Sequence, residues 1–573
     1  MSELLKIVSS QYKHLPSKGC QFPEEGAISR ASILKNEPFS FQALYRAKNG
    51  VGIEAVSVSA ETELPIEAWR VDNVGVLHAC APSEIPAYEA NEPGLYPDVL
   101  TPRPAKPEII SIKTAWGYDL YREKDVDATL NATSVCYQSV WFTVNPDSKQ
   151  LKAGEYTIKI TLKDLKEPEQ VTEEFLTLTV IDETLPKQRA YYTNWFHVDC
   201  LCDAFGVKPY SAAFYKIFDE HIKNMTKHRQ NTLLLPAFTP PLDTAIGEER
   251  MNVQLVDIEK TEKGYEFDFE KMRKFVRHSK KCGVEIFEHS HLFSQWGAKN
   301  APNIYDKSGK RIFGFDTDAA GEEYTSFIRA YLVAFFRFAK EEKIDKSLVF
   351  HISDEPNIKH LEFYRAAHDR IADLLEGNPV CDAMTDAVYY TEGLVDHPIF
   401  HTRHLEDYDP KVCPKIWLYY TGGEKDTSNR KITNTAAATR AIGLHMYVYN
   451  ALGFLQWAYN YYYDQLSFGF SLPNSNVNAY KLFPGITHLC YPVNEKGRKT
   501  VVPSLREKLM GEAMDDLRAL KLLESKIGRE KTLALCEEKF GKIDLFTIPT
   551  GESLRELRET VNERISAHVR AKQ

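Results

Sequence analysis

The sequence lacks the patterns that mark several large functional classes. No Gly-x-Gly-x-x-Gly or P-loop motif follows a candidate strand, so nucleotide chemistry has little support. No apolar run reaches the length of a membrane span, and the apolar stretch at the N-terminus is too short for a signal peptide. With a net charge of -9, nothing favours nucleic acid or an anionic membrane as a partner. We therefore expect a cytoplasmic protein.

Regular cysteine spacing is also absent. The ten cysteines include no Cys-x-x-Cys pair, and Cys200 and Cys202 have no histidines at the spacing of a zinc finger. Free thiols in a reducing compartment are the simplest explanation of this pattern. The cysteines therefore predict neither a disulfide framework nor a metal site.

The chain is long enough for more than one domain. At 573 residues it exceeds what one hydrophobic core usually supports. Short runs of alternating apolar and polar residues, separated by turn residues, predict a β-sandwich over residues 1–187. The segment 182–187 breaks this alternation and ends in a proline and a lysine, which indicates a domain boundary.

Strand and helix patterns alternate beyond that boundary. About eight strands between residues 188 and 500 predict a (β/α)8 barrel of the TIM type, with an open doubly wound sheet as the alternative. Residues 501–573 read as a helical segment that packs against the barrel. The predicted fold class is thus multidomain α/β plus β. The expected barrel strands are 190–197, 231–236, 284–289, 347–353, 380–387, 398–403, 415–421 and 453–460.

Two adjacent acids end the fourth of these strands. Asp354 and Glu355 follow an apolar run and precede Pro356. Neighbouring carboxylates cost solvation and repel each other, which a protein tolerates where their charge is used. At the carboxyl end of a barrel strand they would lie at the catalytic mouth. The alternative is a helix-capping aspartate beside a solvent-exposed glutamate, with Pro356 beginning the helix.

The motifs around these acids resemble glycoside hydrolase family 123. They are Ser-Asp-Glu-Pro at 353–356, Gly-Phe-Leu-Gln-Trp at 453–457, Ser-Leu-Arg at 504–506 followed by Asp515 and Asp516, and, in the N-terminal part, Tyr-Pro-Asp-Val-Leu at 96–100 and Ala-Gly-Glu-Tyr-Thr at 153–157. The resemblance covers nearly the whole chain. It implies a retaining β-N-acetylgalactosaminidase that acts on a glycan or oligosaccharide without a cofactor.

The resemblance also implies substrate-assisted hydrolysis. Glu355 would protonate the glycosidic oxygen and then activate water. Asp354 would orient the 2-acetamido group of the substrate, whose carbonyl oxygen attacks the anomeric carbon and forms an oxazolinium intermediate. We expect the charge of Asp354 to help keep Glu355 protonated near neutral pH.

Other strand ends supply candidates for substrate binding. Trp457 is placed to stack on a sugar ring, and one of Tyr419 and Tyr420 to bind the acetamide carbonyl. His289 and His291 leave the third strand on one face; with no third ligand identified, hydrogen bonding to substrate is preferred over a metal. The remaining candidates, for which ordinary packing is the alternative, are Asn460, Tyr462, Asp464, Trp195, Asn194 and His197.

Two further functions stay open from the sequence. In a two-carboxylate retaining glycosidase, Glu355 would be the acid/base and Glu424 the nucleophile. In that class an asparagine usually precedes the acid/base, whereas Asp354 suits an acetamide N–H, so substrate assistance is preferred. The third possibility is a carbohydrate-binding protein without turnover, against which the presence of both acids argues.

Overall fold

The fold is described from a computed structural model. It describes residues 3–21, 26–48, 52–79, 87–126, 128–240, 242–244, 248–384, 386–405, 409–473, 482–495 and 497–570. Thr385, in the predicted strand 380–387, and Cys80 lie outside these residues. Each cysteine within them has a free thiol. No helix among the described residues combines the length and the apolar character that a membrane crossing requires.

The chain forms two compact units. Unit 1 comprises residues 1–188, 425–448 and 502–573, and unit 2 comprises residues 189–424 and 449–501. This division differs from the predicted one, in which 501–573 was a segment attached to the barrel. The C-terminal helices instead group with the N-terminal sheets.

Unit 1 begins with two five-stranded sheets that share one apolar core. Their strand orders are β1-β3-β10-β5-β6 and β2-β12-β11-β4-β9. Residues such as Phe41 and Phe142 in the first sheet and Ile158 and Leu176 in the second belong to a common buried cluster, as alternation with one inward face requires. The strands are β1 Leu5–Ser9, β2 Arg30–Leu34, β3 Phe39–Tyr45, β4 Glu54–Glu61, β5 Ile66–Val76, β6 Gly94–Arg103, β7 Ile109–Lys113, β8 Asp119–Glu123, β9 Leu130–Ala132, β10 Gln138–Val144, β11 Gly154–Asp164 and β12 Val171–Ile181.

A buried ion pair explains why the C-terminal helices belong to unit 1. The guanidinium of Arg506 donates to both carboxylate oxygens of Asp98, at 2.9 and 2.8 Å, and both side chains are fully buried. Ser504 caps the same helix by accepting from the backbone N–H of Glu507 at 3.0 Å. The helices of unit 1 are α7 Ala436–Arg440, α8 Ile442–Val448, α9 Leu505–Ile527, α10 Arg529–Phe540 and α11 Gly551–Arg570.

Eight strands pair in parallel among the described residues of unit 2. Five of them pair in the order β13-β24-β23-β22-β21 and three in the order β14-β17-β20. Backbone hydrogen bonds of Phe350 to Pro379 and Cys381, at 2.9 and 2.8 Å, place β20 beside the chain that enters β21. These strands are β13 Tyr191–Asn194, β14 Thr232–Leu235, β17 Ile286–His289, β20 Leu348–Phe350, β21 Ala383–Met384, β22 Ile399–His401, β23 Trp417–Tyr419 and β24 Gly453–Gln456.

Helices separate most of the parallel strands, as the alternating pattern predicts. The longest carries an aromatic stripe that is buried and contributes to the core, because its side chains recur at helical spacing. The helices of unit 2 are α1 Val198–Phe205, α2 Ala212–Lys227, α3 Glu270–Lys281, α4 Glu322–Glu342, α5 Leu361–Asp369 and α6 Val388–Thr391. Short antiparallel strands complete the element order: β15 Asp257–Thr261, β16 Gly264–Asp268, β18 Ile304–Tyr305, β19 Arg311–Phe313, β25 Cys490–Glu495 and β26 Arg498–Pro503.

Candidate active site

Asp354 and Glu355 follow β20, the fourth parallel strand along the chain, after the three residues 351–353. Asp354 is half-buried and Glu355 is exposed. The backbone of Glu355 has φ of 45°, in the left-handed region that non-glycine residues rarely adopt. Such a conformation costs about 1–3 kcal/mol and is found most often at functional sites. The turn presents the Glu355 carboxylate to solvent beyond the strand end.

The helix-capping alternative for Asp354 does not hold. The turn that follows the acids is capped by Asn357, whose side-chain oxygen accepts from the backbone N–H of Lys359 at 3.1 Å. The longer helix α5 begins only at Leu361. Capping therefore gives no reason for two acids at this position.

Tyr419 is the tyrosine that reaches the acid pair. Its phenol donates to Oε1 of Glu355 at 2.9 Å from the end of β23. Burial and the neighbouring Glu355 carboxylate raise the pKa of Tyr419 well above its usual value, so the phenol remains a donor. Tyr420 is fully buried with its ring against Phe454, at 4.8 Å between centroids. The two neighbours point to opposite faces, as the alternation of a strand requires.

A loop after β17 forms a second boundary of the acid pair. The backbone N–H of Trp296 donates to the carbonyl oxygen of Asp354 at 2.7 Å. Buried Ser353 fastens the same loop, since its hydroxyl accepts from the N–H groups of Gly297 and Ala298 at 3.0 and 3.1 Å. The indole of Trp296 is 47% exposed, which is unusual for so large an apolar ring. An exposed indole beside two acids can stack on the apolar face of a sugar.

The surroundings of Asp354 disfavour its charged form. Burial, followed by the charges of Glu355 and Asp382, raises the pKa of Asp354 well above its ordinary value, while His351 opposes the rise. The sequence predicts that the charge of Asp354 helps to keep Glu355 protonated. The structure adds that the pKa of Asp354 itself is raised, chiefly by burial.

Three buried ionisable residues lie behind the acid pair. His351 contacts Oε2 of Glu288 through Nε2 at 3.0 Å and Oδ1 of Asp382 through Nδ1 at 3.2 Å. Burial lowers the pKa of His351, but the hydrogen bonds to Asp382 and Glu288 outweigh it and raise the pKa to about 9. Trp195 also donates its indole N–H to Glu288, at 2.8 Å. An imidazolium held between two carboxylates is the protonation state that fits these contacts.

The same region contains the atoms of a possible metal site. One ligand atom each from His291, His351 and Asp382 lies within 4.8 Å of the others. However, both ring nitrogens of His351 already contact carboxylates. A histidine binds a metal through the lone pair of one ring nitrogen, and here each nitrogen is engaged by Asp382 or Glu288. The arrangement therefore fits a charged hydrogen-bond network better than a metal centre.

Of the predicted binding residues after β24, Trp457 is partly exposed, whereas Asn460, Tyr462 and Asp464 are buried. Trp457 is half-buried, with its ring 5.0 Å from that of Tyr461. In contrast, Asn460 is fully buried and binds the backbone of His197 on both sides, through Oδ1 at 2.8 Å and Nδ2 at 3.0 Å. Asp464 accepts from the N–H of Gly469 at 2.7 Å. Tyr462 is 2% exposed and packs in the core.

The predicted binding residues near the first and third parallel strands also lie in different surroundings. His289 is buried against helix α4, with Nε2 2.7 Å from the hydroxyl of Tyr331, whereas His291 stacks on His351 at 5.0 Å. The two histidines therefore have different neighbours, because β17 ends at His289 and strand alternation does not extend to His291. Asn194 is fully buried and donates to Gln230 at 2.9 Å.

Glu424, the alternative nucleophile, is buried and held by local partners. It accepts from the backbone N–H and the hydroxyl of Thr421 at 2.7 and 3.1 Å and forms an ion pair with His401. Burial raises the pKa of Glu424, but the hydrogen bond from His401 outweighs this and lowers the pKa to about 2. The Glu424 carboxylate is thus ionised and hydrogen-bonded to Thr421 and His401.

Comparison with known proteins decides the family. The family model for the catalytic domain of glycoside hydrolase 123 matches residues 195–523, which is more than half of the chain and includes the acid pair. The chain belongs to glycoside hydrolase family 123. This confirms the resemblance found in the sequence and makes the protein a glycosidase.

Comparison with solved structures shows a similar fold in one protein. A family 123 glycoside hydrolase from Clostridium perfringens, studied for glycolipid glycan hydrolysis, has a TM-score of 0.71 at 13% identity and covers 99% of this chain and 98% of its own. A family 39 glycoside hydrolase from Bacteroides cellulosilyticus has a TM-score of only 0.32 at 10% identity, over 88% of this chain and 83% of its own, and supports no conclusion. No curated protein matches the chain.

Sequence reasoning missed several residues of this family 123 site. Glu288 and Asp382 each interrupt an apolar stretch that was correctly placed near a strand, which is the same signal that identified Asp354. His351 lies within the apolar run that precedes the acids. Trp296 carries no comparable signal, since an isolated tryptophan in a loop reads as packing until its exposure is known.

Proposed function

We propose that this family 123 glycosidase is a retaining β-N-acetylgalactosaminidase that uses substrate-assisted catalysis. The observation that carries the proposal is the adjacent pair Asp354 and Glu355 after the fourth parallel strand, with the phenol of Tyr419 on Glu355. One carboxylate can meet the leaving oxygen while its neighbour meets the acetamide of the same sugar. The substrate then supplies the nucleophile that the enzyme lacks.

In the first step Glu355 gives a proton to the glycosidic oxygen. The bond from the anomeric carbon to that oxygen breaks as the acetamide carbonyl oxygen bonds to the same carbon, which forms an oxazolinium ion. Asp354, as a carboxylate, accepts the acetamide N–H and stabilises the positive charge that develops. In the second step Glu355 removes a proton from water as water attacks the anomeric carbon and the ring reopens. Two inversions at one carbon retain the configuration.

Exposure and hydrogen bonding support this division of roles. Glu355 is exposed, so it can reach a leaving group, and Tyr419 fixes one of its oxygens. Asp354 is half-buried with a raised pKa, and a substrate that brings an N–H donor and a forming cation favours its ionised form. The binding energy of the acetamide group is thereby directed to the step that needs it.

The fold proposal follows the strand order. We propose that the eight parallel strands close into a (β/α)8 barrel and that the two N-terminal sheets form a β-sandwich. Supporting observations are the parallel pairing within both strand groups and the bonds of Phe350 beside β21. In such a barrel the acids, Tyr419 and the loop of Trp296 all follow the carboxyl ends of strands, where catalytic groups of this fold lie.

The mechanism is tested by comparing aryl β-glycosides that differ only at position 2. Substrate assistance predicts hydrolysis of the 2-acetamido glycoside and a loss of several orders of magnitude for the 2-hydroxy glycoside. A thiazoline analogue of the intermediate should inhibit strongly. Equal rates on the two glycosides would refute the oxazolinium route. Comparing the aryl β-glycosides of N-acetylgalactosamine and N-acetylglucosamine tests which sugar is preferred. Faster hydrolysis of the N-acetylglucosamine substrate would overturn the proposed preference for N-acetylgalactosamine.

A two-carboxylate mechanism with Glu424 as nucleophile is the second candidate. Its support is the position of Glu424 shortly after β23 and its charged state, since the pKa is lowered to about 2. Glu424→Gln separates the two routes. Under the two-carboxylate route it abolishes turnover, whereas under substrate assistance it leaves turnover within about tenfold, because Glu424 then only holds His401 and Thr421.

A further inference from the structure

The interior behind the acid pair contains charged groups that the proposed reaction does not use. Glu288 comes from β17, His351 from the segment after β20, and Asp382 from the residue before β21. All three side chains are at most 1% exposed. A charge buried this deeply destabilises a fold unless it is paired, so three of them in one place require an explanation beyond packing.

Asp382 binds the backbone that leads into the acid pair. Its two carboxylate oxygens accept from the N–H of Ile352 at 3.1 Å, and Oδ2 also accepts from the N–H of Ser353 at 3.1 Å. The hydroxyl of Tyr364 donates to the same oxygen. Ser353 in turn fastens the loop that carries Trp296. One carboxylate thus holds the segment immediately before Asp354 and, through Ser353, the neighbouring loop.

His351 adds a positive charge behind Asp354. The charged groups that act on Asp354 are Glu355 and Asp382, which disfavour its carboxylate form, and His351, which favours it. His351 itself is faced by Glu288, Asp382 and His291. Without the imidazolium, Asp354 would meet two negative neighbours and no opposing cation from this group.

We propose that Glu288, His351 and Asp382 form a positioning triad, in which Asp382 holds the backbone before the acid pair and the His351 imidazolium keeps Asp354 available as a carboxylate. The roles of Asp354 and Glu355 used here rest on the proposed function. The triad residues touch no reacting atom. They act through Asp354 and through the turn that places Glu355.

The electrostatic part is tested with His351→Gln. The acid limb of the pH profile of kcat/KM reports formation of the Asp354 carboxylate. Loss of a neighbouring positive charge raises the pKa of Asp354 further, so this limb should move to higher pH by about one unit. The matched control is His221→Gln, another fully buried histidine, whose ring binds the backbone carbonyl of Ile217 at 2.8 Å. The control should leave the limb in place even if it lowers stability.

The positioning part is tested with Asp382→Asn. An amide oxygen can take only one of the two carboxylate positions, and the NH2 group at the other would face N–H groups of Ile352 and His351 or of Ile352 and Ser353. The segment before Asp354 is then held less firmly, so kcat should fall about 100-fold, with KM within about threefold of the wild type. Asp396→Asn is the control. Asp396 also accepts from a backbone N–H, that of Val380 at 2.9 Å, but Val380 lies before the N-terminal end of β21 and not beside the acid pair. Equal losses in both variants would show a general folding effect and overturn the positioning role.

A measurement without substrate separates this proposal from the proposed function. A histidine whose pKa is raised to about 9 contributes stability that is complete below its unfolded value near 6.5 and is lost as pH rises through 9. The fall in Tm between pH 6.5 and 9.5 should therefore be smaller in His351→Gln than in the wild type. If the wild type cleaves no 2-acetamido glycoside, the proposed function fails, while the Tm profile still decides the state of His351.

Two outcomes would overturn the triad. One is a His351→Gln variant with an unchanged acid limb and an unchanged pH dependence of Tm. The other is loss of activity with a chelator and recovery with Zn²⁺ alone, which would assign His291, His351 and Asp382 to a metal instead of a charged network.

Discussion

At the scale of single residues, the acid pair illustrates how burial divides two similar groups. Asp354 and Glu355 are adjacent in sequence, yet one is half-buried and the other exposed. The exposed acid, Glu355, also has the left-handed backbone conformation, with φ of 45°. The reaction proposed for the pair uses that asymmetry, with the exposed acid at the leaving group and the inner one at the acetamide.

Glu355→Gln should separate proton donation from binding. The amide keeps the shape of the side chain but cannot protonate the leaving oxygen, so hydrolysis of a natural disaccharide should fall about 10²- to 10⁴-fold. An aryl glycoside whose phenol leaves without protonation should lose much less in its first step. Steady-state kinetics on both substrates provide the measurement. Unchanged hydrolysis of the disaccharide would show that another group is the acid.

Tyr419→Phe tests the hydrogen bond between Tyr419 and Glu355. Removing the hydroxyl deletes the 2.9 Å hydrogen bond, so the carboxylate loses its orientation and kcat/KM should fall about tenfold. Tyr96→Phe is a suitable control, since that buried hydroxyl donates to the backbone carbonyl of Glu92 at 2.7 Å within unit 1. If the two variants retain equal activity, the contact of Tyr419 has no part in catalysis.

At the scale of secondary-structure elements, close packing fixes positions that the pattern of the sequence leaves open. The sequence pattern placed the eight parallel strands of unit 2 near their observed positions. Residues 436–448 form two helices, α7 and α8, which are separated at Ala441. Helix α8 carries Gly443 where it meets α9.

Gly443→Ala should destabilise unit 1. A Cβ atom at this position would lie 2.1 Å from the backbone carbonyl oxygen of Ala513, and backbone cannot move aside as a flexible side chain can. Overpacking of this kind costs about 1–3 kcal/mol. Gly75→Ala is the control, because a Cβ there meets nothing within 4 Å. Urea unfolding of both variants measures the effect, and equal midpoints would mean that α8 and α9 are less closely packed.

At the scale of the whole molecule, long-range contacts decide which parts of the chain form a unit. The predicted division into 1–187, 188–500 and 501–573 followed changes in the sequence pattern. The compact units instead combine the first part with residues 425–448 and 502–573. A pattern changes where the secondary structure changes, whereas a compact unit is defined by contacts such as that between Asp98 and Arg506, which no local signal reveals.

Breaking the ion pair between Asp98 and Arg506 should lower the free energy of unfolding of unit 1. Arg506→Met leaves the Asp98 carboxylate buried without its partner, and the loss of one member of a buried pair costs about 3–5 kcal/mol. Lys106→Ala, which removes an exposed pair with Glu61, should cost less than about 1 kcal/mol. Denaturant unfolding compares the two. A small effect of Arg506→Met would mean that the C-terminal helix is not held to the sheet by this contact.

Patterns of neighbouring residues in the sequence were sufficient to predict the parallel strands, the candidate catalytic pair and the family. Alternating residues, turn signals and two adjacent acids led to the parallel strands, to the candidate catalytic pair and to family 123. Each of these features depends on residues that are close together in the sequence. Folding alone decides that Tyr419 rather than Tyr420 reaches Glu355, that Asp354 carries the raised pKa, and that Glu288, His351 and Asp382 meet. Orientation and charge depend on neighbours brought together from distant strands, and those neighbours exist only in the tertiary structure.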